Sequence, residues 1–296
     1  MQIWILVSQS RCETPEVKRF EEEIKKRKDI EYKTVIIEKF NLTIPLKNKS
    51  IIYDNKEISL PDIVIVRNLN TYEATSLVKQ FEEYGITTIN TLSKTKLAKD
   101  KFATLQVLSS HNIPVPKTTL IHENTIPENI EKEFEYPLLL KKNMGYLGQG
   151  IILCHNPSQL RDILDTFKIS LLPHIQFMIQ EFITHSKGKS IRVIVIGNKV
   201  IGAILKEVDK SEYKTNSTFG STTSIYTIDK ELERISLQVT QVLGLDIGGI
   251  DFLFDTDEYK ICEVNFQPMF ERFEKTTQTN VAKAIVDIAI KKHTLK

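Results

Sequence analysis

The chain has 296 residues, with 40 Lys and Arg side chains against 38 Asp and Glu, so its formal net charge is only +2. A chain of this length buries a sizeable core and can form two or three structural units around a shared cleft. Its balanced charge gives no support to non-specific binding of nucleic acid, and we expect no nucleic-acid partner.

The sequence carries no signal of secretion or of membrane insertion. The first residues, MQIWILVSQS, contain a short apolar run without a basic segment before it, which is typical of a β-strand rather than a signal peptide. No later run approaches the roughly eighteen apolar residues of a membrane span. Cys12, Cys154 and Cys262 are far apart and odd in number, which favours neither a disulfide framework nor a zinc site. We therefore expect a cytoplasmic protein without a membrane partner.

Strands and helices alternate along residues 1–92, which predicts a parallel α/β unit. The apolar segments IWILV, TVII, DIVIVRNL and TTIN are the predicted strands. Helical segments lie between them, at about residues 13–28 and 72–83.

Residues 93–178 are predicted to form a second, smaller α/β unit. It begins with one amphipathic helix, capped by Ser93 and ended by the prolines of IPVPK. The strands KTTLIH, YPLLLKKN and IILC follow, with helices near residues 127–134 and 157–167.

The run FMIQEF is predicted to open the third unit, which we place at residues 179–296. Its strands SIRVIVIG and KVIGAILKEV are joined by the dipeptide Gly197-Asn198, a strong signal for a β-hairpin. A helix near residues 229–243, two carboxylate-bearing strands and a last helix near 279–291 complete the unit.

A glycine loop, MGYLGQGI, lies between two strands of the second unit. Its glycines Gly145, Gly148 and Gly150 allow backbone amides to approach a phosphate closely, although a plain tight turn is the alternative. Lys141 precedes this loop and Lys101 lies on the preceding helix. Two ammonium groups from separate elements could converge on a polyphosphate, or each could be a solvated surface lysine.

The stretch GGIDFLFDTDEYKICEVN places Asp251, Glu263 and Asn265 within or at the end of two apolar strands. A buried carboxylate needs a compensating cation, and oxygen ligands without His or Cys suit Mg²⁺ or Mn²⁺. Strand alternation puts Glu263 and Asn265 on one face. The alternative is that these side chains meet Arg or Lys partners.

The order of these motifs resembles the ATP-grasp carboxylate–amine ligases, and most closely the RimK-like group, which adds glutamate to protein or small-molecule acceptors. The likeness covers essentially the whole chain, from VRNL through QEF and IDFLF…EVN to EKTTQTNVA. It implies the α/β ATP-grasp fold, with three units and ATP held between the second and the third.

The resemblance implies a role for each motif, position by position. The residues expected at the phosphates of ATP are Lys101, Lys141 and the glycines Gly145, Gly148 and Gly150. Those expected around the adenine are Gln180, Glu181, Phe182 and Ile183. Arg192 and Lys206 would face an acyl phosphate, and two Mg²⁺ ions, with Mn²⁺ as an alternative, would be held by Asp251, Glu263 and Asn265.

The substrate side departs from the group's pattern. Ser190 stands where the group often has Asp, and Phe219 lies where its substrate loop usually carries an arginine and paired glycines. Met269 replaces a small residue in what is usually a Ser-Pro-Gly turn. We expect Arg67 and Asn216 to face the acceptor or the incoming amino acid, with a structural role as the alternative for Arg67.

The resemblance implies an enzyme that joins an amino acid, glutamate in the first instance, to a carboxylate-bearing peptide, protein C-terminus or small molecule. ATP would first phosphorylate the carboxylate, and the amine would then attack the acyl phosphate. We expect a homo-oligomer. The alternatives are an ATP-grasp kinase that phosphorylates a small polyol or inositol phosphate, and a nucleotide-binding regulatory subunit.

Overall fold

The computed structural model describes residues 1–46, 50–145, 150–169, 176–209 and 221–295. The strands in this part of the chain are β1 Gln2–Val7, β2 Glu31–Ile36, β3 Phe40–Asn41, β4 Ile51–Tyr53, β5 Lys56–Ile58, β6 Ile63–Val66, β7 Thr87–Ile89, β8 Thr118–Leu120, β9 Leu138–Lys142, β10 Ile152–Cys154, β11 Phe177–Glu181, β12 Lys189–Ile196, β13 Lys199–Glu207, β14 Thr222–Ile225, β15 Ile247–Phe254 and β16 Tyr259–Asn265. The α-helices are α1 Pro15–Lys25, α2 Tyr72–Glu83, α3 Leu92–Lys99, α4 Lys101–Ser110, α5 Pro127–Glu133, α6 Pro157–Ile169, α7 Lys230–Leu243, α8 Glu271–Thr277 and α9 Val281–Thr294.

The N-terminal sheet is parallel and has the strand order β2-β1-β6-β7. This confirms the predicted parallel α/β layer, with buried aliphatic strands between helices. The short strands β3, β4 and β5 form a separate antiparallel sheet that we did not predict. These strands have two or three residues each, too few for a period-2 pattern to be recognised.

The predicted single helix after Ser93 is wrong, because the chain breaks at Asp100. This residue has an extended backbone (φ −86°, ψ 104°), and its side chain caps α4 by accepting from the backbone N–H of Ala103 at 2.9 Å. The same carboxylate oxygen accepts from Asn143 Nδ2 at 3.0 Å. An aspartate that competes for backbone amides and finds a distant partner therefore overrides the apolar periodicity. The break puts Lys101 at the first position of α4.

The central sheet is antiparallel, with the order β10-β9-β11-β8. The strand β11 lies inside it, paired with β9 on one side and β8 on the other, so FMIQEF does not open the third unit as predicted. Ile179 of β11 packs with Leu138 and Leu140 of β9 in one apolar cluster, which fixes this pairing. The predicted boundary at 178/179 falls within β11, and the division of the chain into three units stays a prediction.

The C-terminal sheet has five antiparallel strands in the order β14-β13-β12-β15-β16. The predicted hairpin is confirmed, since β12 and β13 pair across a turn in which Gly197 has a φ of +61°. The pairing of β15 with β16 shifts between Asp251 and Phe252, where β16 contains one extra residue, Cys262. Helix α8, which has seven residues, was not predicted.

The described apolar residues form two clusters that join the N-terminal and C-terminal sheets, and one that belongs to the central sheet. The α2-side cluster contains Trp4 and Leu6 of β1 together with Ile191 and Val193 of β12. The α1-side cluster contains Ile3 and Ile5 from the opposite face of β1, with Ile194, Phe270 and residues of α9. Strand alternation thus places both faces of the N-terminal sheet against elements of the C-terminal part.

None of the described helices combines the length and the apolar character that a membrane-spanning helix needs.

The shared clusters predict that a C-terminal core substitution destabilises the N-terminal sheet. The buried ring of Phe270 meets Phe20 of α1 edge to face, with centroids 5.4 Å apart. Phe270→Ala should lower the free energy of unfolding by about 3–5 kcal/mol. The fluorescence of Trp4, the single tryptophan, and the far-UV circular dichroism should shift together to a lower midpoint.

The matched control is Leu164→Ala in the central cluster, where Leu164 is also buried. It should move the Trp4 midpoint much less than Phe270→Ala does. An unchanged Trp4 midpoint in Phe270→Ala would contradict a shared core.

Candidate active site

The candidate site lies on the C-terminal sheet, where four strands bring charged side chains together. Arg192 on β12 is paired in register with Asp251 on β15, and Asp251 is paired with Glu263 on β16. Asn265 lies opposite Gly249, and Lys206 on the neighbouring β13 lies opposite Ser190. Antiparallel pairing thus assembles site residues that are up to 73 positions apart in the sequence, from Arg192 to Asn265.

Asp251 forms a buried ion cluster at the centre of the site. Its side chain is only 2% exposed and accepts two hydrogen bonds from Arg192, at 2.7 Å from Nε and 2.5 Å from Nη2. Lys206 Nζ donates to Asp251 Oδ1 at 3.2 Å. Burial alone would raise the pKa of Asp251, but the charges and hydrogen bonds of the two basic groups lower it to about 2. Asp251 is therefore ionised near neutral pH.

The two cations of this cluster respond in opposite directions. Burial opposes the charge of Arg192, yet Asp251 raises the pKa of the guanidinium above its ordinary value. For Lys206, burial and the neighbouring Arg192 charge lower the pKa to about 8, against the attraction of Asp251. Our alternative interpretation, pairing with Arg and Lys, therefore describes Asp251 in this structure.

Glu263 and Asn265 have far fewer partners. Glu263 Oε1 lies 3.5 Å from Lys101 Nζ, and its side chain is about one-fifth exposed. Asn265 Nδ2 is buried and has no hydrogen-bond partner among the described residues, which is costly for an amide. Rotation of that amide would present Oδ1 at the same point, so Asn265 suits a cation ligand.

The donor set fits Mg²⁺ or Mn²⁺ if other oxygens complete it. Among the described residues, no group of three or more His, Cys, Asp or Glu could hold a metal ion. With the Asn265 amide rotated so that Oδ1 faces the site, all three side chains, Asp251, Glu263 and Asn265, offer oxygen ligands. Mg²⁺ typically takes few protein carboxylates and completes its coordination with phosphate oxygens and water.

Two lysines contact β16, one from α4 and one from the central sheet. Lys101, at the start of α4, donates to the carbonyl oxygen of Gly145 at 2.8 Å and faces Glu263. Lys141, a buried residue of β9, donates to Gln180 Oε1 at 2.6 Å and lies 3.5 Å from Cys262 Sγ. The lysines thus contact adjacent residues of β16 and are not solvated surface groups.

The predicted adenine segment, residues 180–183, begins at the end of β11 and continues into the next loop. Gln180 is fully buried and donates from Nε2 to Thr118 Oγ1 at 2.9 Å. Glu181 Oε1 accepts from the backbone N–H of Lys117 at 2.8 Å and from Lys260 Nζ at 2.9 Å. Phe182 and Ile183 continue beyond the strand. Protein groups thus hold both polar side chains, and the loop after them lies between the central and C-terminal sheets.

The glycine loop is described only at its two ends. Gly150 has a φ of +73°, a conformation that favours glycine, and a Cβ there would lie 2.9 Å from the side chain of Lys142. Gly145 is held through its carbonyl by Lys101. Gly148 lies outside the described residues, as does the substrate candidate Asn216.

Arg67, the other substrate candidate, immediately follows β6 and is 9% exposed. Its guanidinium lies over the rings of Phe20 and Phe270, at 5.6 and 5.5 Å from their centroids, and Nη2 donates to the carbonyl of Pro268 at 3.0 Å. Burial lowers the pKa of Arg67 to about 10, against the charge of Glu16 and together with that of Arg11. No carboxylate of the described residues lies within ion-pair distance of Arg67.

Our sequence interpretation missed the residues that hold Lys101 in place. The backbone N–H of Phe102 donates to Asn143 Oδ1 at 2.8 Å, and Asn143 Nδ2 donates to Asp100. An aspartate three residues before Ala103 is a helix-cap signal that could have indicated the start of α4. No local pattern could have indicated Asn143, because its partners are distant in sequence.

Comparison with known proteins identifies the family. Residues 98–289 match the RimK-like ATP-grasp domain, and residues 1–93 match the RimK PreATP-grasp domain. A protein of Rhodopirellula baltica named probable alpha-L-glutamate ligase is 30% identical over 97% of this chain and 70% of its own length.

Solved structures show the same fold. A RimK domain ATP-grasp protein from Sphaerobacter thermophilus superimposes with a TM-score of 0.76 at 21% identity, covering 98% of this chain and 100% of its own. The ATP-grasp ligase PsnB, solved with a variant of its minimal precursor, Mg and ADP, gives 0.74 at 20% identity and 98% of both chains. The predicted family, fold class and enzyme class are confirmed: the chain belongs to the RimK-like ATP-grasp family and is an ATP-dependent carboxylate–amine ligase.

Proposed function

We propose that this ligase joins glutamate to a carboxylate-bearing acceptor, for which a peptide or protein C-terminus is the first candidate. The relative from R. baltica carries the name probable alpha-L-glutamate ligase, and PsnB was solved with a precursor, which supports an amino acid and a peptide as substrates. The observation that carries the proposal is the buried cluster of Asp251, Arg192 and Lys206 beside Glu263 and Asn265.

The chemistry proceeds in two balanced steps. A carboxylate oxygen of the acceptor attacks the terminal phosphorus of ATP, so that the acyl phosphate forms and ADP leaves. The amine nitrogen of glutamate then attacks the acyl carbon, the bond from that carbon to the phosphate oxygen breaks, and phosphate and a proton are released. No covalent enzyme intermediate is required, and the protein acts by alignment and by charge stabilisation.

The cations of the site are suited to these steps. Lys101 and Lys141 would bind phosphates of ATP, and Arg192 and Lys206 would face the acyl phosphate from the neighbouring strands. Because Arg192 is already fixed by two hydrogen bonds to Asp251, little reorientation is needed when negative charge moves towards it. Gln180, Glu181, Phe182 and Ile183 would frame the adenine.

Asp251, Glu263 and Asn265 would hold Mg²⁺, and the proposal extends to two ions with Mn²⁺ as a substitute. A bound divalent cation would neutralise phosphate charge during transfer. The buried Nδ2 of Asn265, which has no hydrogen-bond partner among the described residues, supports this assignment.

Arg67 is proposed as an anchor for a substrate carboxylate. It follows a strand of a parallel sheet near the point where the strand order reverses between β1 and β6, a position at which α/β sheets commonly bind ligands. Within the described part of the chain, the guanidinium donates one hydrogen bond, to Pro268, which leaves other N–H groups for a carboxylate. Asn216 and a homo-oligomeric state stay predictions.

The acyl phosphate can be trapped directly. Wild-type enzyme given ATP, a peptide with a free C-terminal carboxylate and hydroxylamine, without glutamate, should release ADP and form a hydroxamate. Mass spectrometry of the peptide measures the product. If every tested carboxylate gave no hydroxamate while a polyol supported steady ADP release, the kinase alternative would replace the ligase.

Glu263→Gln tests the metal assignment with little structural disturbance. Because Glu263 is partly exposed and has one 3.5 Å ion pair, the free energy of unfolding should change by less than about 1 kcal/mol. The ligation rate should fall by roughly a hundredfold or more, equivalent to about 2.7 kcal/mol of lost transition-state stabilisation.

The exposed Glu258, in the turn before β16, provides the matched control Glu258→Gln, which should retain full activity. Near-normal activity of folded Glu263→Gln would exclude Glu263 as a metal ligand. Asp251→Asn is a less clean test, since it would leave Arg192 and Lys206 buried without a counter-ion.

Arg67→Ala should raise the KM for the acceptor by about 10- to 100-fold, the range expected for losing one charge-assisted hydrogen-bonded contact. The KM for ATP should stay within about twofold, because Arg67 lies on the N-terminal sheet. Steady-state kinetics with each substrate varied in turn would separate the two constants. Arg234→Ala, on an exposed part of α7, is the control. A parallel rise in both constants would assign Arg67 to the structure alone.

A further inference from the structure

Asn90 connects the N-terminal sheet to both strands that carry the proposed metal ligands. It immediately follows β7 and is 2% exposed. Its Oδ1 accepts from the backbone N–H groups of Asp246 and Ile247, at 2.6 and 2.9 Å. Its Nδ2 donates to the carbonyl oxygens of Ile247 and Phe266, at 2.9 and 2.8 Å. The amide therefore makes all four hydrogen bonds of which it is capable, and its orientation is fixed.

The partners of Asn90 lie at the start of β15 and just after the end of β16. Ile247 is the first residue of β15, which carries Asp251, and Phe266 directly follows Asn265, the last residue of β16. A single side chain thus sets the separation between the two strand ends. Asn265 itself lies opposite Gly249, two residues after Ile247.

The start of β15 has more contacts besides Asn90 than the residue after β16 has. The entry of β15 has further anchors, because Asp246 forms an ion pair with Lys292 and its carbonyl accepts from Gly197 at 2.7 Å. Among the described residues, Asn90 is the one donor to the carbonyl of Phe266. Loss of the Asn90 amide should therefore displace the Asn265 side more than the Asp251 side.

The next two residues are also tied to the N-terminal sheet. Gln267 Nε2 donates to the carbonyl of Val66 at 3.0 Å, and the carbonyl of Pro268 accepts from Arg67. Residues 266–268 are thus held by the carboxyl ends of β6 and β7. Asn90 is the contact nearest to Asn265, whose own amide nitrogen has no partner in the described part of the chain.

We propose that Asn90 is a positioning residue for the metal ligand Asn265, acting through the carbonyl of Phe266. This inference rests on the proposed function of Asp251, Glu263 and Asn265. Since no described residue holds Nδ2 of Asn265, its side chain is oriented by its own backbone, and Asn90, which follows a strand of the N-terminal sheet, fixes the next residue of that backbone. Mutation of a residue that holds a metal ligand in place commonly lowers metal affinity by about 10- to 100-fold.

Asn90→Asp is the primary variant because it keeps the shape and the two accepted bonds but replaces the nitrogen that donates to Ile247 and Phe266 with an oxygen. Mn²⁺ binding in the presence of ADP, measured by electron paramagnetic resonance, should weaken by about tenfold or more. Binding of ADP in EDTA, measured by calorimetry, should change by less than about twofold, which a general loss of structure would not reproduce.

The matched control is Asn280→Asp. Asn280 also joins the N-terminal and C-terminal parts, since its Nδ2 donates to Glu23 at 2.9 Å while its Oδ1 caps α9. Among the described residues, its hydrogen-bond partners lie outside the strands of the site. It should leave Mn²⁺ binding unchanged. Asn265→Ala serves as the benchmark and should lose Mn²⁺ affinity at least as strongly as Asn90→Asp.

The outcomes separate the two proposals. If Asn265→Ala retained wild-type Mn²⁺ affinity, the metal assignment itself would fail. If Asn265→Ala lost affinity while folded Asn90→Asp, checked by Trp4 fluorescence, bound Mn²⁺ normally, the role of Asn90 alone would be refuted. Asn90→Ser provides a second variant with less electrostatic repulsion, and failure of both Asn90 variants to fold would assign Asn90 to stability and overturn the inference.

Discussion

A carboxylate buried in a five-stranded sheet must be neutralised, and the arrangement of the site depends on how Asp251 meets this requirement. Arg192 lies directly opposite on β12 and forms a bidentate pair, while Lys206 approaches from β13. Antiparallel register decides which residues can meet, so three strands have to be aligned before the charge is compensated. Folding orients Asp251, Arg192 and Lys206, so these groups are already in place when a nucleotide binds.

The N-terminal part is a structural frame for this sheet as well as a separate layer. Both faces of the N-terminal sheet contribute to clusters that include C-terminal residues, whereas the central sheet has a cluster of its own. The central sheet meets the site mainly through polar contacts, such as Lys141 with Cys262 and Glu181 with Lys260. Apolar packing thus fixes two parts together, and ion pairs and hydrogen bonds connect the third.

The sequence correctly predicted the strands and turns that depend on local pattern. It failed for features that depend on partners distant in the sequence. The parallel strands, the Gly197 hairpin and the position of Asp251 and Glu263 on neighbouring strands were predicted correctly, because alternation and turn chemistry are local. The assignment of β11 to the wrong unit and the unbroken helix across Asp100 were errors of long-range pairing. The sequence could not decide between a metal ion and basic partners for Asp251, because no short-range signal indicates Arg192 and Lys206, which lie 59 and 45 residues away.

The extra residue in β16 restricts how this strand can vary. Because the pairing shifts beside Asp251, the adjacent residues Cys262 and Glu263 both contact lysines, Lys141 of β9 and Lys101 of α4. Their flanking neighbours Ile261 and Val264 remain in the apolar core. Deleting one residue would restore simple alternation and turn either a charged group inward or an aliphatic group outward. The length of β16 is therefore set by these two side-chain contacts, and insertions or deletions would be tolerated only beyond its ends.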